Sequence, residues 1–306
     1  VEISCHGNPL IIEMVMELLK KAGAVPVDAE TLLAEKLKQS GERNTIVTEA
    51  EIVKLKAVSV EGVRLIEGNN LAQQAAKWAT MPAKDVRNFC KKIIKLSGRA
   101  KHLICGCKAV LAGPPNSGKS TLLNCLAGRQ KAIVTDIAGT TRDWVSADFK
   151  IGELAVEIFD TAGLDASLLI ASDIDAESQR RSLQLLNECD IVLLVLDSTC
   201  SQEFDLELLK KIGKPIVGVF NKCDISGSKL QKKEIDVDAV VNISALNGQG
   251  IEGLSGVIQR LLVGYAEIRG TFCFTDRQLQ IVKKLAAVEN IERAKTLINE
   301  LLYGKL

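Results

Sequence analysis

Aromatic residues are scarce in this chain. They account for 4% of its 306 residues, although apolar residues reach 47%. The core must therefore be mostly Leu, Ile, Val and Ala, in a length that allows about two domains. Histidine is scarcer still, at two residues, and the nine cysteines contain no C-x-x-C spacing, so no zinc site is expected. Scattered and odd in number, the cysteines read as free, buried thiols in a reducing compartment. An excess of one charge is also missing. The formal net charge of +1 gives no global pull towards nucleic acid or membrane, and any RNA contact must be local. No apolar run is long enough to cross a bilayer and no leader peptide is visible, so the expectation is a cytoplasmic protein without a membrane partner.

The informative chemistry begins at Gly113-Pro114-Pro115-Asn116-Ser117-Gly118-Lys119-Ser120-Thr121. This stretch fits G-x-x-x-x-G-K-[ST], with an apolar strand over 108–112 before it and an amphipathic helix over 120–127 after it. Backbone N–H groups and a helix start in that context cradle phosphate oxygens. Lys119 would neutralise the β- and γ-phosphates, and the Ser120 hydroxyl would ligate Mg²⁺.

Three further motifs follow in order. Asp160-Thr161-Ala162-Gly163 ends a strand, where Asp160 would hold a Mg²⁺-bound water and the Gly163 N–H would face the γ-phosphate. Asn221-Lys222-Cys223-Asp224 closes the strand over 215–220, and a carboxylate at Asp224 accepts from both guanine N1–H and the 2-amino group. Adenine has neither donor, so it would leave that carboxylate unpaired. Ser244-Ala245-Leu246 follows a strand over 240–243 and would set a backbone N–H against guanine O6. Together these predict GTP and GDP as ligands. Leu164, next after Gly163, has no donor or acceptor and cannot orient a water, so another group must do so.

The organisation predicted is α/β. A doubly wound, mostly parallel sheet of the Ras-like, P-loop GTPase kind spans 105–265. It is inserted into a helical domain made of 29–104 and 266–306, after a short α+β segment at 1–28. Helices are expected over 10–22, 29–39, 49–58, 71–78, 83–96 and 277–302 from apolar periodicity and turn signals. On the helix from Ala83, the residues Lys84, Arg87, Lys91, Lys95 and Arg99 recur at helical spacing. That stripe is either a solvated face or a contact for an RNA backbone.

The stretches Val1–Pro9 (VEISCHGNP), Leu111–Gly128 (LAGPPNSGKSTLLNCLAG), Ala132–Asp143 (AIVTDIAGTTRD) and Asp160–Leu164 (DTAGL) resemble the TrmE/MnmE family of tRNA-modification GTPases. The resemblance covers roughly the first 25 residues and about 108–265. It implies a GTPase activated when two G domains of a homodimer meet around K⁺, acting on the tRNA wobble uridine with an FAD-containing partner protein. Carried over by residue, Asn116, Thr135, Ile137 and Thr140 would coordinate K⁺, and Thr141 would join Ser120 on Mg²⁺. The nucleotide site would also include Asp136, Ala138 and Gly139. The counterpart of the family's water-orienting acid is Asp175, with Glu177 as a rival; both also suit a solvated helix start. Glu2 falls on a position of the family's folate site. The segment 1–28 is expected to be a remnant of that domain, lacking most of the pocket for a folate derivative. The family's Cys-containing tail is replaced by Leu302-Tyr303-Gly304-Lys305-Leu306. Two other readings stay open: a reduced regulatory or RNA-binding GTPase without modification activity, and a nucleotide-binding protein with little hydrolysis.

Overall fold

The computed structural model describes residues 7–129, 145–160, 184–200, 206–225 and 235–305. The chain first forms six helices: α1 (Pro9–Lys21), α2 (Ala29–Gln39), α3 (Thr45–Lys56), α4 (Val60–Glu67), α5 (Leu71–Trp78) and α6 (Ala83–Cys105). Then come β1 (Cys107–Ala112), α7 (Lys119–Arg129), β2 (Val145–Ile151), β3 (Leu154–Asp160), β4 (Ile191–Asp197), α8 (Glu207–Lys211) and β5 (Ile216–Asn221). The described elements end with β6 (Ala239–Asn242), α9 (Ile251–Leu262), α10 (Asp276–Ala287) and α11 (Ile291–Tyr303).

The strands make one six-stranded sheet in the order β2-β3-β1-β4-β5-β6, parallel throughout except for the antiparallel pairing of β2 with β3. β4 is buried at every position, as a central strand covered on both faces must be. Alternate residues feed two cores. Val110, Val192, Leu194 and Ile216 pack on one face with Leu186 and Leu209. Ala109, Leu111, Leu193 and Val217 pack on the other, and that core runs on without a break into Trp78, Ile93, Ile104, Phe272 and Leu301 of the helical region. The expected mixed α/β architecture with a mostly parallel sheet and helices elsewhere is what the chain forms.

Several element bounds differ from the sequence expectation, each for a local reason. α6 does not stop at Leu96 but runs to Cys105, because apolar periodicity continues through the buried Ala100 and Ile104. α3 begins at Thr45 rather than Glu49, since the Asn44 side chain accepts from Ile46 N and caps it. α4 was not foreseen. It is capped by Ser59, which accepts from the Gly62 N–H, and Gly62 packs so closely on α6 that a Cβ there would lie 2.8 Å from the Leu103 carbonyl oxygen. A glycine inside a helix, unfavourable by propensity alone, is here a packing necessity. The single helix expected over 277–302 is two, parted before Asn290, which caps α11. α1 matches its expected span, yet Leu10, Met14 and Leu18 on its apolar face are exposed. Val1–Pro9 reads from sequence as a short strand running into a turn; residues 1–6 lie outside the described residues, and Asn8 caps α1, which starts at Pro9.

The cysteine expectation is met unevenly among the described residues. Burial pushes the thiols of Cys90, Cys107 and Cys273 up to about 12, so they stay protonated, whereas Cys105 and Cys200 are exposed. Among the described residues no cluster of His, Cys, Asp or Glu could hold a metal ion, and no helix is long and apolar enough to cross a membrane.

A buried ion pair fixes the helical region. Glu49 on α3 is 5% exposed and takes a two-point contact from Arg277, with Nε–Oε1 and Nη2–Oε2 both at 2.7 Å. Gln278 Nε2 and Thr275 Oγ1 donate to the same carboxylate, and Arg277 also donates to the Glu300 and Leu301 carbonyls at the end of α11. Every oxygen of Glu49 is thus satisfied, which a buried charge requires. Replacing Arg277→Met strands that carboxylate and is expected to lower the unfolding free energy by about 3 kcal/mol, measured by urea denaturation. The double variant Glu49→Leu with Arg277→Met should recover most of that loss.

Candidate nucleotide site

β1, β3, β4 and β5 end at Ala112, Asp160, Asp197 and Asn221, and these ends share one edge of the sheet. β1 sits between β3 and β4, so the chain leaves it at the point where strand order reverses, the usual crevice for ligands in such sheets. The loop 113–118 fills that crevice and leads into α7.

Asn221 ties the loop to the base-reading side. Its Nδ2 donates to the Ser117 carbonyl and its Oδ1 accepts from Ala245 N, both at 2.9 Å, and Asn221 itself is 3% exposed. One side chain thereby joins three sequence motifs. The fit leaves no slack: at Gly118, with φ +96°, a Cβ would lie 2.1 Å from Asn221 Nδ2. The neighbouring Lys222 donates to the Asn116 carbonyl at 2.8 Å and to Asp197 Oδ2 at 2.5 Å. Asn116 and Lys222, at φ 60° and 65°, are the non-glycine residues with positive φ among the described residues. Such backbone costs on the order of 1–3 kcal/mol per residue and persists only where its surroundings enforce it. Here the two strained residues are bonded to each other.

The phosphate end has its own contacts. Lys119 Nζ donates to the Gly113 and Pro114 carbonyls at 2.9 Å each, closing its own loop. Ser120 Oγ donates to Asp160 Oδ2 at 2.5 Å. Four buried side-chain polar atoms lack a partner among the described residues, and three belong here: Ser117 Oγ, Asp160 Oδ1 and Ser198 Oγ. A hydroxyl and a carboxylate with a spare buried oxygen form a hard-oxygen donor set that fits Mg²⁺, directly or through its waters. When bound, the ion would neutralise charge between phosphate oxygens; Ser120 and Asp160 would hold it.

Sequence reading named Asn116, Ser117, Gly118, Lys119, Ser120, Asp160, Asn221, Lys222, Ser244 and Ala245, and the structure brings them together. Thr121, at the first turn of α7, and Leu246, 79% exposed, are placed beside them in the chain. Asp224 is exposed, and its carboxylate has no bond among the described residues. Cys223 N bonds the Ile243 carbonyl, linking that turn to the Ser244 strand end. Thr135, Asp136, Ile137, Ala138, Gly139, Thr140 and Thr141 lie outside the described residues, as do Thr161, Ala162, Gly163, Leu164, Asp175 and Glu177. Asp197 was missed. Its signal was an acid ending the strand before the one that carries Lys222.

Burial works to raise the Asp197 pKa, but hydrogen bonds from Lys222 and Thr199 outweigh it and hold the carboxyl below its ordinary value. A lowered carboxylate pKa contributes stability that is present above the ordinary range and lost as pH falls through the folded value. Thermal melts of the wild type and Asp197→Asn should therefore differ at neutral pH and converge below the carboxylate range. Asn221→Ala removes both bridges and is expected to weaken GTP and GDP alike by about tenfold or more, read by fluorescent-nucleotide titration.

Residues 108–222 match the family model described as 50S ribosome-binding GTPase. Among solved structures, an Era variant from Aquifex aeolicus bound to GDP·AlF₄⁻ is 29% identical over 57% of this chain, with a TM-score of 0.40. This chain spans 64% of the length of that Era structure. The G domain of the T. maritima FeoB iron transporter is 28% identical over 51% of this chain and 98% of its own, also at 0.40. A structure of Era with MgGDPNP and nucleotides of 16S ribosomal RNA is 26% identical over 57% of this chain and 64% of its own, again at 0.40. The segment 108–222, which carries the loop at Gly113 and the Asn221 bridge, is similar to the G domains of P-loop GTPases.

Proposed function

We propose that this protein is a K⁺-activated GTPase of the TrmE/MnmE type, working on the tRNA wobble uridine with an FAD-containing partner in the cytoplasm. The observation that carries the reading is the state of Asn116. Its carbonyl is held by Lys222, while its exposed carboxamide makes no hydrogen bond among the described residues. A loop residue with a fixed backbone and an open oxygen is suited to ligate a monovalent cation next to the phosphates. Such a cation would supply the positive charge that an arginine finger supplies elsewhere. Thr135, Ile137 and Thr140 would complete its ligand set, with Thr141 beside Ser120 on Mg²⁺. Asp175 or Glu177 would orient the water that Leu164 cannot. Two G domains meeting face to face would close both sites, so the working form is a homodimer. The wording TDIAGTTRD and the HGNP turn support the tRNA-modification assignment over other GTPases.

A regulatory RNA-binding GTPase without modification activity is the second reading. It draws on the match to a model named for ribosome-binding GTPases.

GTP turnover in KCl should exceed that in NaCl by about tenfold or more, and Asn116→Ala should abolish the difference while leaving GTP affinity within about twofold. Equal, negligible rates in both salts would sink the cation mechanism. For the base, Asp224→Asn should swing preference from guanosine towards xanthosine nucleotides by about a hundredfold in competition assays. Wobble-uridine analysis of cells lacking the gene decides between the two readings: unchanged modification leaves only the regulatory one.

A further inference from the structure

Trp78 supplies the fourth orphaned polar atom. Its indole Nε1–H belongs to a residue 2% exposed and has no acceptor among the described residues. The other three orphans lie at the sheet edge of the nucleotide site; this one belongs to α5, in the helical region. Trp78 lines a separate cavity of about 240 Å³, bounded by α5, α6 and residues 269–271. Ile93, Leu96 and the ring of Phe89, 42% exposed, make its apolar walls. Lys92 and Arg269 bring positive charge to it. Arg269 is engaged by Glu267, whereas Lys92 has no partner among the described residues.

We propose that this cavity binds a small aromatic anion. One planar ring would lie against Phe89 and Leu96, an anionic oxygen would accept from Trp78 Nε1–H, and Lys92 would balance the charge. The combination is selective in three ways. A purely apolar guest would leave the indole N–H unsatisfied. A cation would meet Lys92 and Arg269. A cavity of about 240 Å³ falls just below the usual range of ligand sites, about 300–1,000 Å³, and admits one ring system rather than an extended chain. The floor is firmly built: Asn69 Nδ2 donates to the Phe272 carbonyl at 2.7 Å, and Thr271 Oγ1 bonds Asn70 Oδ1. These contacts hold the 269–271 segment against α5 independently of any guest.

The chain has two tryptophans, so Trp144→Phe leaves Trp78 as the sole indole reporter. Titrating this variant with benzoate and phenyl phosphate should give saturable fluorescence changes at or below about 10 mM, and the neutral analogue benzyl alcohol should not. Lys92→Gln should weaken the anions by about fivefold while GTP affinity is unchanged. If Trp144→Phe does not fold, ligand-observed NMR on the wild type reads the same binding. No saturation, equal binding of benzyl alcohol, or no effect of Lys92→Gln would overturn the proposal. A response confined to a single-stranded RNA oligonucleotide would also overturn it, in favour of a macromolecular guest.

Discussion

The two hydrogen bonds of the Asn221 carboxamide are the constraint on which the nucleotide site depends. Donor to the phosphate loop and acceptor from the Ser244–Ala245 turn, this side chain sets the distance between the part that holds phosphate and the part that reads the base. Its burial leaves no water to substitute for either contact, so the amide must keep both partners or carry an unsatisfied group. Gly118 exists in a form that only that approach explains. Lys222 extends the same lock to Asn116 and, through Asp197, to the end of the central strand.

What could be read from the sequence follows the range of the forces involved. Four short motifs announced the site, because each needs only a few neighbouring residue types at fixed spacing. The network between motifs was silent, since nothing in Asn-Lys-Cys-Asp says that its Asn reaches Ser117 or that its Lys bends into left-handed backbone. Asp197 shows the same limit: a strand-ending acid becomes meaningful only once β4 and β5 are paired. Asn caps at Asn44 and Asn290 set helix starts that apolar periodicity alone places elsewhere or passes over. Gly62 shows long-range packing setting a residue that helix propensity alone would not favour, because a Cβ there would meet α6. The TrmE/MnmE wording at 1–6, 132–143 and 161–164 lies outside the described residues, so Thr135, Ile137, Thr140 and the water-orienting acid stand on the sequence, whereas Asn116 is described.

Polar satisfaction separates framework from function in this molecule. The Glu49 carboxylate, buried and charged, has its needs met by Arg277, Gln278 and Thr275, and its role is to hold three helices together. The orphaned atoms Ser117 Oγ, Asp160 Oδ1 and Ser198 Oγ gather at the sheet edge where phosphates and a divalent ion fit. A buried group left without a protein partner is costly, and its persistence in one place points to what completes it.

Arg99, read from sequence as one member of a basic stripe, instead donates to the Val263 and Ala266 carbonyls just beyond α9. Two turns further along the same helix, Gly106 hands the chain into β1. Entry to and exit from the sheet are therefore fastened to one helix within a short span, like the two ends of a loop closed by a clasp. Mechanically, a pull applied across the helical region runs through α6 and the Arg99 clasp in parallel with the sheet, so the nucleotide crevice carries little of the load.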